Sequence, residues 1–139
     1  MIFPFRSPEK PGSVFRYKHG SRVDECHPFV YLGKMGGSVI VASFVTSQSW
    51  HENTPGNLFV KIEPSENNVV INKTSYILVQ EVRRFDIEKM KAEYAKDCEV
   101  YRFTTECISD DALKELVDKM LTDATVDDDV KQMLLKTIT

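Results

Sequence analysis

The chain has 139 residues, 42% of them hydrophobic, and a formal net charge of −3. That length suits one domain with a core of its own, and that composition excludes a disordered chain. No run approaches eighteen apolar residues, which excludes a helical membrane span.

Charge is unevenly spread. Residues 1–90 carry +2 and residues 91–139 carry −5. The acidity lies in the tail, and the first part is left to meet an anionic partner, although +2 is far from a basic stripe. Cys26, Cys98 and Cys107 are widely spaced and odd in number, so reduced thiols are expected rather than a disulfide framework. MIFPFRSPEK reads as too short and too polar for a signal peptide. A cytoplasmic location follows as the expectation.

Pro4, Pro8 and Pro11 break up residues 1–11 into an irregular lead-in, with Pro11-Gly12 turning into the first strand. Ser13–Lys18 alternates apolar and polar residues, as a half-buried strand does. Residues 19–27 are polar and are read as a loop. Phe29–Leu32 forms a short strand, and Gly33, Gly36 and Gly37 mark a hairpin.

Ser38–Val45 is almost continuously apolar and β-branched, which predicts a strand buried on both faces. Residues 46–57 form a twelve-residue polar loop, a length usually associated with function. Leu58–Ile62 alternates again, and Pro64 to Asn68 turns the chain. Val69–Ile71 reads as a short strand, Tyr76–Val82 as a longer one, Asp86–Tyr94 as a short helix and Val100–Phe103 as the last strand.

Ser109 is a natural N-cap, and Asp110 and Asp111 suit the positive end of a helix dipole. Leu113, Leu116, Val117, Met120 and Leu121 then make one apolar stripe. A second helix is expected over Asp127–Lys136. Short strands separated by turns and followed by helices point to a small barrel. The whole chain is read as a single domain, with the lead-in at 1–11, the barrel at 12–103 and the helical tail at 109–137.

Several side chains carry possible chemistry. His19 and His51 lie in polar loops, where a histidine is available for proton transfer. Trp50 sits in the 46–57 loop, and an exposed tryptophan there hints at a binding surface. Its flat ring offers a stacking platform for bases, as does Phe44, although Phe44 reads first as core. Strand alternation sends Arg83 and Arg84 to opposite faces. Asp24-Glu25 and Asp127–Asp129 lack the spacing and glycine of a calcium loop, so no metal and no cofactor is assigned.

Four blocks resemble the MazF/PemK toxin family: Gly12-Ser-Val-Phe, His27-Pro28-Phe-Val-Tyr-Leu, Val45-Thr46-Ser47, and Tyr76-Ile-Leu-Val-Gln-Glu-Val-Arg83-Arg84-Phe85-Asp86. The Ser109-Asp-Asp helix start fits as well, so the likeness covers about residues 11–121. It implies an SH3-like barrel with C-terminal helices and metal-independent cleavage of single-stranded RNA. It also implies a homodimer and neutralisation by an antitoxin.

The family commonly stabilises the pentavalent phosphorane with the arginine of an Arg-Pro block, where this sequence has His27. That exchange removes a permanently charged fork but leaves a side chain suited to acid–base work. The resemblance makes His27, Thr46 and Arg83 the expected catalytic residues, with Ser47, Trp50 and His51 at the substrate. The alternative is a catalytically degenerate SH3-like module that binds protein or nucleic acid through the same groove.

Overall fold

The computed structural model describes residues 5–18, 26–64 and 70–137. Its centre is β3 (Val39–Thr46), flanked on both sides by longer strands. That position explains why this segment is apolar on both faces, as is Phe29–Leu32 beside it. β2 (Cys26–Met35) lies on one side of it, followed by β1 (Ser13–Lys18) and β6 (Tyr101–Cys107). On the other side lie β5 (Ser75–Asp86) and then β4 (Phe59–Ile62). All neighbouring strands are antiparallel.

The two faces of the sheet bury different chemistry. One is aliphatic: Val30, Leu32, Val41, Val45, Val60, Ile77 and Val79. It is covered by α2 (Asp110–Thr122) through Leu116, Val117 and Met120, and by α3 (Asp128–Thr137) through Val130, Met133 and Leu134. Full burial of side chains such as Leu116 and Met120 contributes roughly 1.5–3 kcal/mol each.

The opposite face is aromatic, built on Phe15, Phe29, Tyr31 and Tyr101, and is capped by Ile87 and Met90 of α1 (Ile87–Lys96). A third, smaller cluster of Val14, Val70 and Ile71 joins Ile62 and Ile108. It bridges the two edge strands, and the Glu106 carboxylate accepts the backbone N–H groups of Val70 (3.0 Å) and Ile71 (2.9 Å). The result is a small barrel-like β domain followed by helices, as expected. No helix among the described residues is long and apolar enough to cross a membrane.

Several boundaries differ from those read in the sequence. Cys26 and His27 belong to β2, not to a loop. The β2–β3 turn is Gly36–Ser38, with Gly36 and Gly37 both at positive φ (61° and 73°) and the Ser38 N–H donating to Met35 O (3.3 Å). Gly33 lies inside β2. Its role is close approach: a Cβ there would stand 2.5 Å from Met133 Sδ, so α3 sits directly on the strand.

Val70 and Ile71 are not a strand but the segment pinned by Glu106. β5 runs on to Asp86, which caps α1 by accepting Lys89 N–H (3.0 Å). β6 extends to Cys107, four residues past the expected end at Phe103. α2 begins at Asp110, with Ser109 Oγ accepting Ala112 N–H (3.1 Å). His19, Asp24-Glu25 and most of the expected 64–68 turn lie outside the described residues.

Candidate functional site

The open ends of β2 and β3 gather most of the expected residues. Phe29 pairs with Phe44. That pair ends the β2–β3 ladder, two residues from His27 on β2 and two from Thr46, the last residue of β3. Alternation keeps these four side chains on the aromatic face of the sheet. The His27 ring lies 5.1 Å from that of Phe44, which in turn stands edge-on to Phe29 at 5.5 Å. Phe44 is half-buried, part of the packing around the aromatic core.

From Thr46 a chain of contacts runs into the 46–57 loop, which is ordered by a 3₁₀ turn over Ser49–Asn53. The Gln48 backbone N–H donates to Thr46 Oγ1 (3.2 Å). The Gln48 side-chain oxygen accepts the Trp50 indole N–H (2.7 Å). Trp50 stacks on His51, with ring centroids 3.7 Å apart and planes at 27°. Thr54 closes the turn by donating its hydroxyl to Trp50 O (2.9 Å).

The two rings of that stack differ sharply in exposure. Trp50 is 53% exposed, the largest value among the big hydrophobic side chains described, whereas His51 is 7% exposed. The sequence placed His51 in an open loop, so its burial is a correction. Its ring is the shelf beneath the indole. Asn57 Nδ2 lies 3.3 Å from His51 Nδ1, so with the amide nitrogen as donor Nδ1 accepts and the proton resides on Nε2.

Behind this stack, Tyr76 donates its hydroxyl to Glu52 (3.0 Å), whose other oxygen meets Lys61 Nζ (3.0 Å). The hydrogen bond from Lys61, then that from Tyr76, holds the Glu52 carboxyl below the usual range. Burial, then the hydrogen bond to Glu52, pushes the Tyr76 hydroxyl up.

Arg83 stands elsewhere on the same face. It pairs with Ala42, four residues along β3 from Thr46, a separation of roughly 13 Å at strand rise. Its ion contact with Glu81 is long (4.0 Å) and exposed. Arg84 faces the other side, as alternation requires. There it grips Asp129 with two hydrogen bonds (2.8 and 2.9 Å) and Asp127 with a third (2.8 Å). The run Asp127–Asp129 is thus the anchor of α3 for the sheet.

Ser47 is exposed immediately after β3. Gln48 and Asn57 were missed in the sequence, although both fix the platform. Gln48 had a signal, lying two residues from both Thr46 and Trp50. Asn57 had none, because its contact depends on how the loop folds back. Among the described residues no group of three or more His, Cys, Asp or Glu side chains is placed to hold a metal ion. No known protein-family model matches the chain, and no curated protein matches it significantly.

Proposed function

We propose that this chain engages single-stranded RNA and cuts it as a MazF/PemK-like endoribonuclease. The observation that carries this reading is the continuous link from Thr46 through Gln48 to the Trp50–His51 stack, with His27 packed on Phe44 of the same strand as Thr46. An exposed indole locked by a hydrogen bond and a stacked ring is ready to receive a base, because little freedom is lost on binding.

The reaction is in-line attack of a 2′-hydroxyl on phosphorus. The proton leaves to a base, the bond to the 5′ oxygen breaks, and an acid protonates that oxygen, leaving a 2′,3′-cyclic phosphate. His27 is the proton-transfer residue in this account and Thr46 the phosphate contact, with Ser47 a further hydroxyl. His51, buried and engaged by Asn57, positions Trp50 rather than moving a proton. Arg83 contributes positive charge further along the same face. The reading includes a homodimer, a neutralising antitoxin and a cytoplasmic setting.

A second reading, RNA binding without cleavage, is favoured by one arrangement. The only position matching the family arginine is a histidine packed against Phe44, and Arg83 is too far along the strand to replace it.

Position 27 separates the two. His27→Ala should lower the cleavage rate of a mixed RNA by about 10²- to 10⁴-fold, as for loss of a general acid or base, and EDTA should leave the parent's cleavage intact. If the parent is inactive and His27→Arg cuts, the chain is a binding module that has lost its catalyst. If parent and alanine variant cut equally, His27 has no part in the chemistry.

A further inference from the structure

A small cavity of about 120 Å³ lies beside the Trp50–His51 stack. Trp50, His51, Asn57 and Leu58 line it from the loop side, and Leu78, Gln80 and Glu81 of β5 line it from the sheet. It is well below the roughly 300 Å³ at which pockets enclose a drug-sized ligand, so it takes one ring or its edge.

β5 is bulged at this place. Leu78, Val79, Gln80 and Glu81 stand between the Val45–Ile77 and Ser43–Val82 pairs, where β3 has only Phe44. A bulge re-aims side chains and recurs beside functional sites. Here the extra length carries Gln80 and Glu81 to the cavity.

The side-chain polar atoms left at the cavity are mostly acceptors. With the amide nitrogens as donors, Asn57 Nδ2 is engaged by His51 Nδ1 (3.3 Å) and Gln80 Nε2 by Asp123 (3.3 Å). The Trp50 indole N–H is engaged by Gln48 (2.7 Å). Asn57 Oδ1 and Gln80 Oε1 remain, together with the Glu81 carboxylate, which only accepts when ionised. The one donor left is the Nε2–H of the buried His51 ring. Glu81 is the only Asp, Glu, Lys or Arg lining the cavity. Its ion contact with Arg83 is long (4.0 Å) and exposed, and so is worth little in water.

Single-stranded RNA is read by stacking its bases on aromatic rings and hydrogen-bonding their edges. Guanine alone among the four bases carries two adjacent donors, N1–H and the 2-amino group, and these match the two oxygens of one carboxylate. Adenine and cytosine set a ring-nitrogen acceptor beside their amine, and uracil sets carbonyls on both sides of its N–H. Each would turn an unpaired acceptor towards Glu81.

We propose that Glu81, at the bulge of β5, selects guanine as the base stacked on Trp50. The inference rests on the single-stranded RNA engagement proposed above and names the base that this site takes. It requires no cleavage.

Trp50 fluorescence titration of the full chain tests the assignment, using the RNA pentamers UUGUU, UUAUU, UUCUU, UUUUU and UUIUU, where I is inosine, which lacks the 2-amino group. UUGUU should bind most tightly, and inosine should lose part of that advantage. Glu81→Gln should weaken UUGUU binding by roughly 5- to 150-fold, the range for loss of one bidentate base contact. The other pentamers should bind the variant as well as the parent or better, because a negative charge beside the RNA backbone has gone. The Glu81 side chain is 54% exposed, and an unchanged melting curve of the variant confirms that the fold is intact. Equal binding of all five pentamers by the parent overturns guanine selection and leaves RNA engagement standing. A guanine preference that Glu81→Gln leaves intact overturns the role of Glu81. Failure of every pentamer to bind at millimolar concentration overturns RNA engagement at this site, and guanine selection with it.

Discussion

Trp50 and His51 show how two neighbouring residues divide a task. The buried imidazole is stacked and hydrogen-bonded, so it fixes the exposed indole above it. Gln48 holds the indole edge and also touches the Thr46 hydroxyl through its backbone. Trp50→Ala should weaken single-stranded RNA binding by roughly 5- to 150-fold, the 1–3 kcal/mol typical of one stacked base, as read by filter binding at fixed salt. A variant that binds like the parent would remove the platform from the account. The sequence made Trp50 conspicuous because a tryptophan among polar residues is unusual. It could not show His51 buried, because that depends on the 3₁₀ turn placing two adjacent rings face to face.

At the scale of elements, α3 is held to the sheet by shape and by charge. Gly33 leaves just enough space for Met133, and Gly33→Ala should destabilise the protein by about 1–3 kcal/mol, the usual cost of overpacking. Urea unfolding measures it; an unchanged midpoint would mean that α3 accommodates the extra methyl without loss.

The charge tether has its own signature. Hydrogen bonding from Arg84 holds the Asp129 carboxyl below its ordinary value. A depressed carboxyl contributes stability that is present above its unfolded pKa, near 3.9, and is lost as pH falls through the folded value. Arg84→Met should therefore flatten the decline in melting temperature below about pH 4 relative to the parent. An identical acid profile in the two proteins would show that the tether is energetically silent.

Strand existence was largely readable, since alternation and β-branched runs are local properties. The Ser109 cap and the α2 stripe were readable for the same reason. Glu106 pinning Val70 and Ile71, and Gly33 facing α3, were not, because each joins segments far apart in sequence.

For the whole molecule, the antiparallel sheet separates an aliphatic side sealed by helices from an aromatic side that is only partly covered. Helices α2 and α3 supply the bulk of the stabilising cover, which leaves the aromatic face to carry His27 and Arg83. The chain is a barrel-like β domain followed by helices, and the MazF/PemK-like reading proposed above adds a homodimer to it. Light scattering at tens of micromolar protein should give twice the chain mass, and a monomeric mass would count against the paired groove.

Trp50 is the only tryptophan in the chain, so its fluorescence reports on the proposed platform without labelling. Titration with an unstructured single-stranded RNA, with and without added salt, is the most direct measurement. Stacking of a base on Trp50 predicts saturable quenching that shifts to higher RNA concentration as salt rises, since backbone phosphates share in binding. Emission that stays unchanged up to saturating RNA would contradict single-stranded RNA engagement at this site.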